Sequence, residues 1–532
     1  MMLKAPVDLL WNGGIGTYVK SGAEPQSAAG DRANDGLRVD ARDLRCRIVG
    51  EGGNLGFTQR ARVEFARRGG LINTDAIDNS AGVDTSDHEV NLKILLDQAV
   101  HDGGCTVSER NALLASMTNE VAVLVLADNI DQNQALVNGI TLAGAMIDVH
   151  ARYLTYLERA ARLDRPLEAL PDTDALLERK AQGAGLVAPE LAVVMAYTKL
   201  HLTEQLLVEA ETSDEAFTSA LTSYFPAAIR DQFAANVAAH PLRAEITATS
   251  VANEMVNRNG VTFAFRLAEE TQASVTDIAR AHITATQLFR TDDLWRKICL
   301  LTNEVAEDVI VALLLEVDRL VERASRWVLR HRPLPLDVRH TVTAFRPGVD
   351  RVVETLASLV SDAERELVER RVVLWTQAGV PETLAAEVAA LDLAPTALDI
   401  VRLSLNWSTT GDTAAESIDP VASVYFTIDD QLGLGDLRDR IVALPRDDRW
   451  DALARAALRD DLAGEHAALT SAVIMSDPAL AITERFEGWA SKYRVEIERH
   501  LATVREVQES GVSNVATMSV VLRGLRSLAT SR

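Results

Sequence analysis

The chain is poor in the residues that staple, kink or flatten a fold. Its 532 residues include three cysteines, 15 prolines and 29 glycines, and aromatics make up 5%. Cys46, Cys105 and Cys299 are scattered and form no Cys-x-x-Cys pair. That argues against a disulfide framework or a zinc finger and points to a reducing compartment. Scarce proline, glycine and aromatics beside abundant Ala, Leu, Glu and Arg favour helices over strands. No apolar run reaches the roughly 18 to 20 residues of a membrane span, and MMLKAPVDLLWNGG has no secretory apolar core. The expectation is a cytoplasmic protein with no membrane partner. Positive charge is also in deficit, with 54 basic against 77 acidic residues and a net charge of -23, which argues against nucleic acid as a partner. Gly-x-Ser-x-Gly, Walker-type, His-Glu-x-x-His and EF-hand patterns are missing.

What is present is the profile of a globular chain, 47% hydrophobic and 25% charged, long enough for roughly two to four domains. VDLLW (7–11) and LRCRIV (44–49) are short apolar runs stopped by glycine, as strands are. FTQRARVEFARR (57–68) has helical spacing and a Gly-Gly stop, and LINT (71–74) fits a third strand. Strand, crossover, strand, helix, strand is the rhythm of a doubly wound parallel sheet. From Val90 onward apolar stripes recur at helical spacing, over 111–130, 188–207, 311–329 and 351–375. The Pro-containing stretches 163–174 and 330–337 predict breaks between them. No fixed-period repeat or sustained heptad appears, so bundle packing is expected.

Chemistry concentrates before residue 92. In WNGGIGTYVK (11–20) a Gly-x-Gly turn could approach a phosphate, but Val19 stands where a third glycine would fall, so a tight turn needing positive φ is preferred. VGEGGNLGFT (49–58) follows a predicted strand. There Gly52 and Gly53 permit close backbone approach, and Asn54 offers a donor and an acceptor to a ribose hydroxyl or carboxamide. Thr58 equally fits a helix cap. DNSAGVDTSDHEVN (78–91) reads as a polar loop holding Asn79, with Ser86 and Asp87 capping a helix from about His88. His88 has no Cys or His at ligand spacing, so no metal role is expected. Asn253, Asn257, Arg258 and Arg266 read as interhelical or solvent-facing residues, with a cleft lining as the alternative.

Taken together, EGGN (51–54), Thr58 and D-x-x-D-N-S-A-G-V-D-x-S-D-x-E-V-N (75–91) resemble the late part of the nucleotide-binding domain of glutamate dehydrogenases. With DLLWNGGIGTYVK and GDRAND, and with LADNIDQNQAL (126–136), APELAVVMAYTK (188–199), HPLRAEI (240–246) and VNRNGVTFAFRLAEET (256–271), the wording is similar to the large NAD-dependent enzymes of bacteria. The likeness is clearest over 5–345 and faint beyond about Ile400. It implies an α/β then all-α fold: the second half of a Rossmann-type parallel sheet over 1–105, helices packing back over 106–170, and a helical domain over 171–532. It implies NAD as cofactor and oxidative deamination of L-glutamate to 2-oxoglutarate and ammonia, within a homo-oligomer formed by the complete enzyme. Gly52, Gly53, Asn54 and Asn79 match cofactor-side positions, Ser86 matches the serine that helps hold the substrate's distal carboxylate, and Gly82 matches a backbone position shaping the cleft.

Gly53 replaces the usual alanine, Ser80-Ala81 replaces Ala-Gly, and Asn12 stands at an otherwise apolar position. The family's Gly-rich pyrophosphate loop, catalytic lysine and catalytic aspartate precede the strand that VDLLW resembles. The expectation is therefore a chain with no catalytic residue of its own, inactive alone. The alternative is a non-enzymatic helical scaffold or regulatory subunit.

Overall fold

Every extended run near the start of the chain ends within four residues. The computed structural model describes residues 2–161, 163–209, 215–407, 414–445 and 448–530. Its strands are β1 (Leu9–Asn12), β2 (Val19–Lys20), β3 (Val39–Asp40) and β4 (Ile48–Glu51). β1 pairs in parallel with β4, from Leu9 opposite Ile48 to Asn12 opposite Glu51. β2 pairs in parallel with β3. LINT supplies one parallel bridge, Leu71 to Ile48, before the chain turns helical at Asp75. The structure is 74% helical and 3% strand, so the expected half of a Rossmann-type sheet is corrected to two two-stranded sheets. Glycine explains the shortness of the main pair. A Cβ at Gly52 would come within 2.6 Å of the Trp11 ring, and one at Gly53 within 2.6 Å of the Gly14 carbonyl oxygen. β1 and β4 therefore run out together into facing turns. Gly16 has φ +129°, as the tight-turn reading requires.

The chain forms two compact units, Met1–Ala268 with Ala273–Ala279, and Glu269–Gln272 with Arg280–Arg532. In the first, Thr58 caps α1 (Gln59–Arg67) by accepting from the Ala61 N–H at 3.2 Å. Ala61 and Phe65 then bury against Val19, Val49, Phe57 and Ile72. The stretch 78–91 is not a loop. After the single turn α2 (Asp75–Asp78), α3 runs from Ser80 to His101. Ser86 and Asp87 are therefore helix-interior residues, and the cap position is Asn79, without a side-chain cap bond. Leu92, Leu95, Leu96 and Ala99 anchor the C-terminal half of α3 against Phe225, Ile229 and Phe233, each large side chain contributing about 1.5–3 kcal/mol.

The first unit continues with α4 (Val107–Ser116), α5 (Thr118–Leu142), α6 (Ile147–Ala160), α7 (Thr173–Ala181) and α8 (Ala188–Glu209). The Thr106–Glu109 capping box starts α4. The second unit is helical as expected. Its core gathers Leu313, Leu314, Val317 and Leu320 of helix Glu307–His331 with Trp375, Leu384 and Val388. The stripe read over 351–375 divides into helices Val338–Leu359 and Asp362–Gln377, the second started by a Ser361–Glu364 capping box. No single helix among the described residues is long and apolar enough to cross a membrane.

One buried group gives the first unit an acid-sensitive stability. His150 on α6 is 4% exposed and its Nδ1 has no hydrogen-bond partner among the described residues. Burial, with the Arg266 charge adding to it, holds its pKa at about 4. The folded value lies below the unfolded one, so the unfolded chain takes up the proton first as pH falls. The contribution of His150 is whole above pH 6.5 and is lost on the way down through pH 4. Urea unfolding followed by circular dichroism should show His150→Leu losing about 2 kcal/mol of the wild-type difference between pH 7 and pH 5. Equal pH dependence in the two proteins would count against the assignment.

Candidate functional site

The site is built on a buried ion pair at the end of β4. Glu51 is fully buried and is bound by Arg62 of α1 through Nε to Oε2 at 2.6 Å and Nη2 to Oε1 at 3.0 Å. Its Oε1 also accepts the Phe57 N–H at 3.0 Å. Burial raises the Glu51 carboxyl pKa, and Arg62 works against that shift. Arg62 reaches one oxygen of Asp75 as well, at 3.2 Å. The other Asp75 oxygen accepts the Leu55 N–H at 2.7 Å. Leu55 has φ +59°, a left-handed conformation that costs a non-glycine residue about 1–2 kcal/mol. Asp78 closes the ring by accepting the Glu51 N–H at 2.9 Å. The turn carrying EGGN is thus fastened to α2 by carboxylates at both of its ends.

A second set of bonds places Asn79. Asn129 on α5 donates to the Ile77 carbonyl at 2.9 Å and to the Ser80 hydroxyl at 2.8 Å, and Gln132 donates to the same hydroxyl at 2.9 Å. Asn73 donates to Asn133 at 2.8 Å and to Asp78 at 3.2 Å. Held between these, Asn79 donates from Nδ2 to Asn54 Oδ1 at 2.6 Å. The structure therefore brings together two amides 25 positions apart in sequence. The bond lies at the exposed surface, and it leaves the Asn54 Nδ2 as a donor and the Asn79 Oδ1 as an acceptor without a partner among the described residues.

The remaining expected residues fall into different roles. Gly52 and Gly53 belong to the same turn, but the space beside them is filled by Trp11 and Gly14, so their small size serves strand packing. Gly82 has nothing within 4 Å of an added Cβ. Ser86 is exposed, and its hydroxyl donates to the Val83 carbonyl at 2.6 Å. It lies roughly 10 Å along α3 from Asn79.

Glu51, Arg62, Asp75, Asp78, Asn129, Gln132 and Asn133, which fix this geometry, escaped the residue-by-residue reading. For Asn129, Gln132 and Asn133 the signal was the amide-rich spacing of LADNIDQNQAL. Nearby, burial and then the charges of Asp128 and Asp87 push Asp84 up to about 7. Burial lowers Lys199 of α8 to about 8, against the pull of Asp128 and Asp131. Arg258 pairs with Asp131 at 3.0 Å, the interhelical role expected of it.

Breaking the central pair tests this account. Arg62→Ala leaves the Glu51 carboxyl buried without its guanidinium and should lower stability by about 3–5 kcal/mol in urea unfolding at pH 7. Glu51→Gln with Arg62→Met should recover most of the loss. Equal destabilisation in the single and double variants would show that the pair itself is not what holds the turn.

Residues 183–527 match the family described as glutamate dehydrogenase, C-terminal. Residues 1–139 match the catalytic domain of bacterial NAD-glutamate dehydrogenase. The chain is 39% identical over 528 residues to the NAD-specific glutamate dehydrogenase of Mycobacterium tuberculosis, covering 99% of this chain and 32% of that protein. It is 42% identical over 531 residues to the corresponding protein of Pseudomonas aeruginosa, and 38% identical over 531 residues to that of Halomonas elongata. These two alignments cover 100% of this chain and 32% of each relative, so the chain spans about a third of their length. By the extent of the first match, which covers more than half of its residues, the chain belongs to the glutamate dehydrogenase C-terminal family.

Proposed function

We propose that the chain is part of an NAD-dependent glutamate dehydrogenase, converting L-glutamate, NAD and water to 2-oxoglutarate, ammonium, NADH and a proton. The observation that carries this reading is the amide pair at the end of β4. Asn54 and Asn79 are bonded to each other at the exposed surface, and each keeps one amide atom that this bond does not use. One donor and one acceptor side by side match a carboxamide or a ribose hydroxyl, so the residues fit this cofactor. When bound, NAD supplies the hydride acceptor.

The chain's own residues would bind and orient. Asn54 and Asn79 hold the cofactor side, and the buried Glu51–Arg62–Asp75 network keeps them rigid. Ser86 turns its hydroxyl from the Val83 carbonyl to the distal carboxylate of the substrate. Gly82, with open space beside it, leaves the α3 backbone approachable. On this reading residues 1–105 carry the cofactor side, 106–170 pack back on it, as the Asn129 and Gln132 bonds suggest, and 171–532 form a C-terminal helical domain. The scattered thiols and acidic surface support a cytoplasmic setting, and a homo-oligomer formed by the complete enzyme belongs to the same proposal.

Saturation-transfer NMR on the purified chain separates the two sides. NAD should give nicotinamide and ribose signals that Asn54→Ala and Asn79→Ala each weaken by about 2- to 10-fold in affinity, the loss of a hydrogen bond worth about 0.5–1.5 kcal/mol. Ser86→Ala should weaken L-glutamate binding and leave NAD signals unchanged. No nicotinamide signal in the wild type would favour the helical scaffold instead.

A further inference from the structure

A histidine on α3 sits in a setting that its own protein groups leave unsatisfied. His88 is 1% exposed, and neither ring nitrogen has a hydrogen-bond partner among the described residues. Its ring is fixed by stacking on Tyr224, with centroids 4.2 Å apart and planes 12° from parallel. The Nε2 is directed at Asp84 one turn earlier, 3.8 Å from Oδ1. The second Asp84 oxygen is buried and also without a hydrogen-bond partner among the described residues. Across the helix interface, Asp128 of α5 completes the group: one ligand atom each from Asp84, His88 and Asp128 lie within 4.8 Å of one another. Two carboxylates and an imidazole nitrogen converge here from two helices.

We propose that Asp84, His88 and Asp128 form a binding site for a divalent cation of the zinc class. One imidazole nitrogen and two carboxylate oxygens are a donor set that suits zinc and its first-row neighbours. Magnesium and calcium prefer oxygen-only cages. Ligand distances of about 2 Å would draw the three side chains together by a rotamer-scale movement. Three protein ligands leave a coordination position open to water. Lys199 also faces Asp128 and Asp131, so the cation would share Asp128 with an ammonium while His88 and Asp84 belong to it alone. The site would tie α3 to α5 through residues two positions before and two positions after Ser86. No Cys or His stands at ligand spacing from His88, so the sequence predicts no metal role. The partners found in the fold are an aspartate at i-4 and a residue on another helix.

Isothermal titration of the purified 532-residue chain with zinc chloride, alongside the visible spectrum of bound cobalt, tests it. The wild type should take up a zinc equivalent that His88→Gln and Asp128→Asn each weaken by about tenfold or more. His101→Gln, at an exposed histidine of the same helix, should bind as the wild type does. Asp128 is an exposed residue, so Asp128→Asn keeps the test decisive if the buried His88 variant fails to fold. No saturable zinc binding, or undiminished binding in Asp128→Asn, would overturn the proposal.

Discussion

Glu51 is a carboxylate placed where water cannot reach it, at the end of a strand only four residues long. A bare buried charge of that kind would unfold its surroundings. Arg62, the Phe57 amide and, through Arg62, Asp75 offset the desolvation. Each partner comes from a different local element: the helix after the turn, the turn itself, and the start of α2. Because all must be present at once, the orientation of that region is set by electrostatics more than by sheet pairing. This explains how two strands and one bridge can hold a defined turn, where a two-stranded pair alone would be marginal.

Around that centre the interior polar groups are amides. Asn73, Asn129, Gln132 and Asn133 form a ladder between α5 and the segment 77–80. Amides satisfy backbone carbonyls and hydroxyls without adding charge beside a carboxylate-rich cluster. The ladder also gives LADNIDQNQAL a physical meaning as the polar face of α5, distinct from the apolar stripes that build the second unit.

The sequence disclosed much of the architecture's outline. Extended runs at VDLLW and near the end of LRCRIV, the Thr58 cap, the positive φ of Gly16 and the long helices were all legible from periodicity and turn chemistry. Sheet size was not, because an apolar run says nothing of how far its partner continues, and here glycines under Trp11 and Gly14 end both strands. The polar stretch 78–91 read as a loop because its side chains are those that compete with helices in isolation. In the fold its first residues are bonded by α5, so the helix begins at once. The sequence put Asn54 and Asn79 on one side of a cleft, but the bond between them was not legible, since residues 25 apart carry no local signal. The enclosure of His88 by Asp84 and Asp128 needed both helices in place.

The two halves of α3 are fastened by different physics. Beyond Asn91, which donates to Tyr224 at 2.8 Å, the helix is embedded among Phe225, Ile229 and Phe233. Before Asn91 it is held by amide bonds to Ser80 and by the ring stacked on His88. The embedded half opens only when a core opens, whereas the leading half opens by breaking a few partly solvated hydrogen bonds. α3 is thus held by apolar contacts at one end and by polar bonds at the end that carries the site.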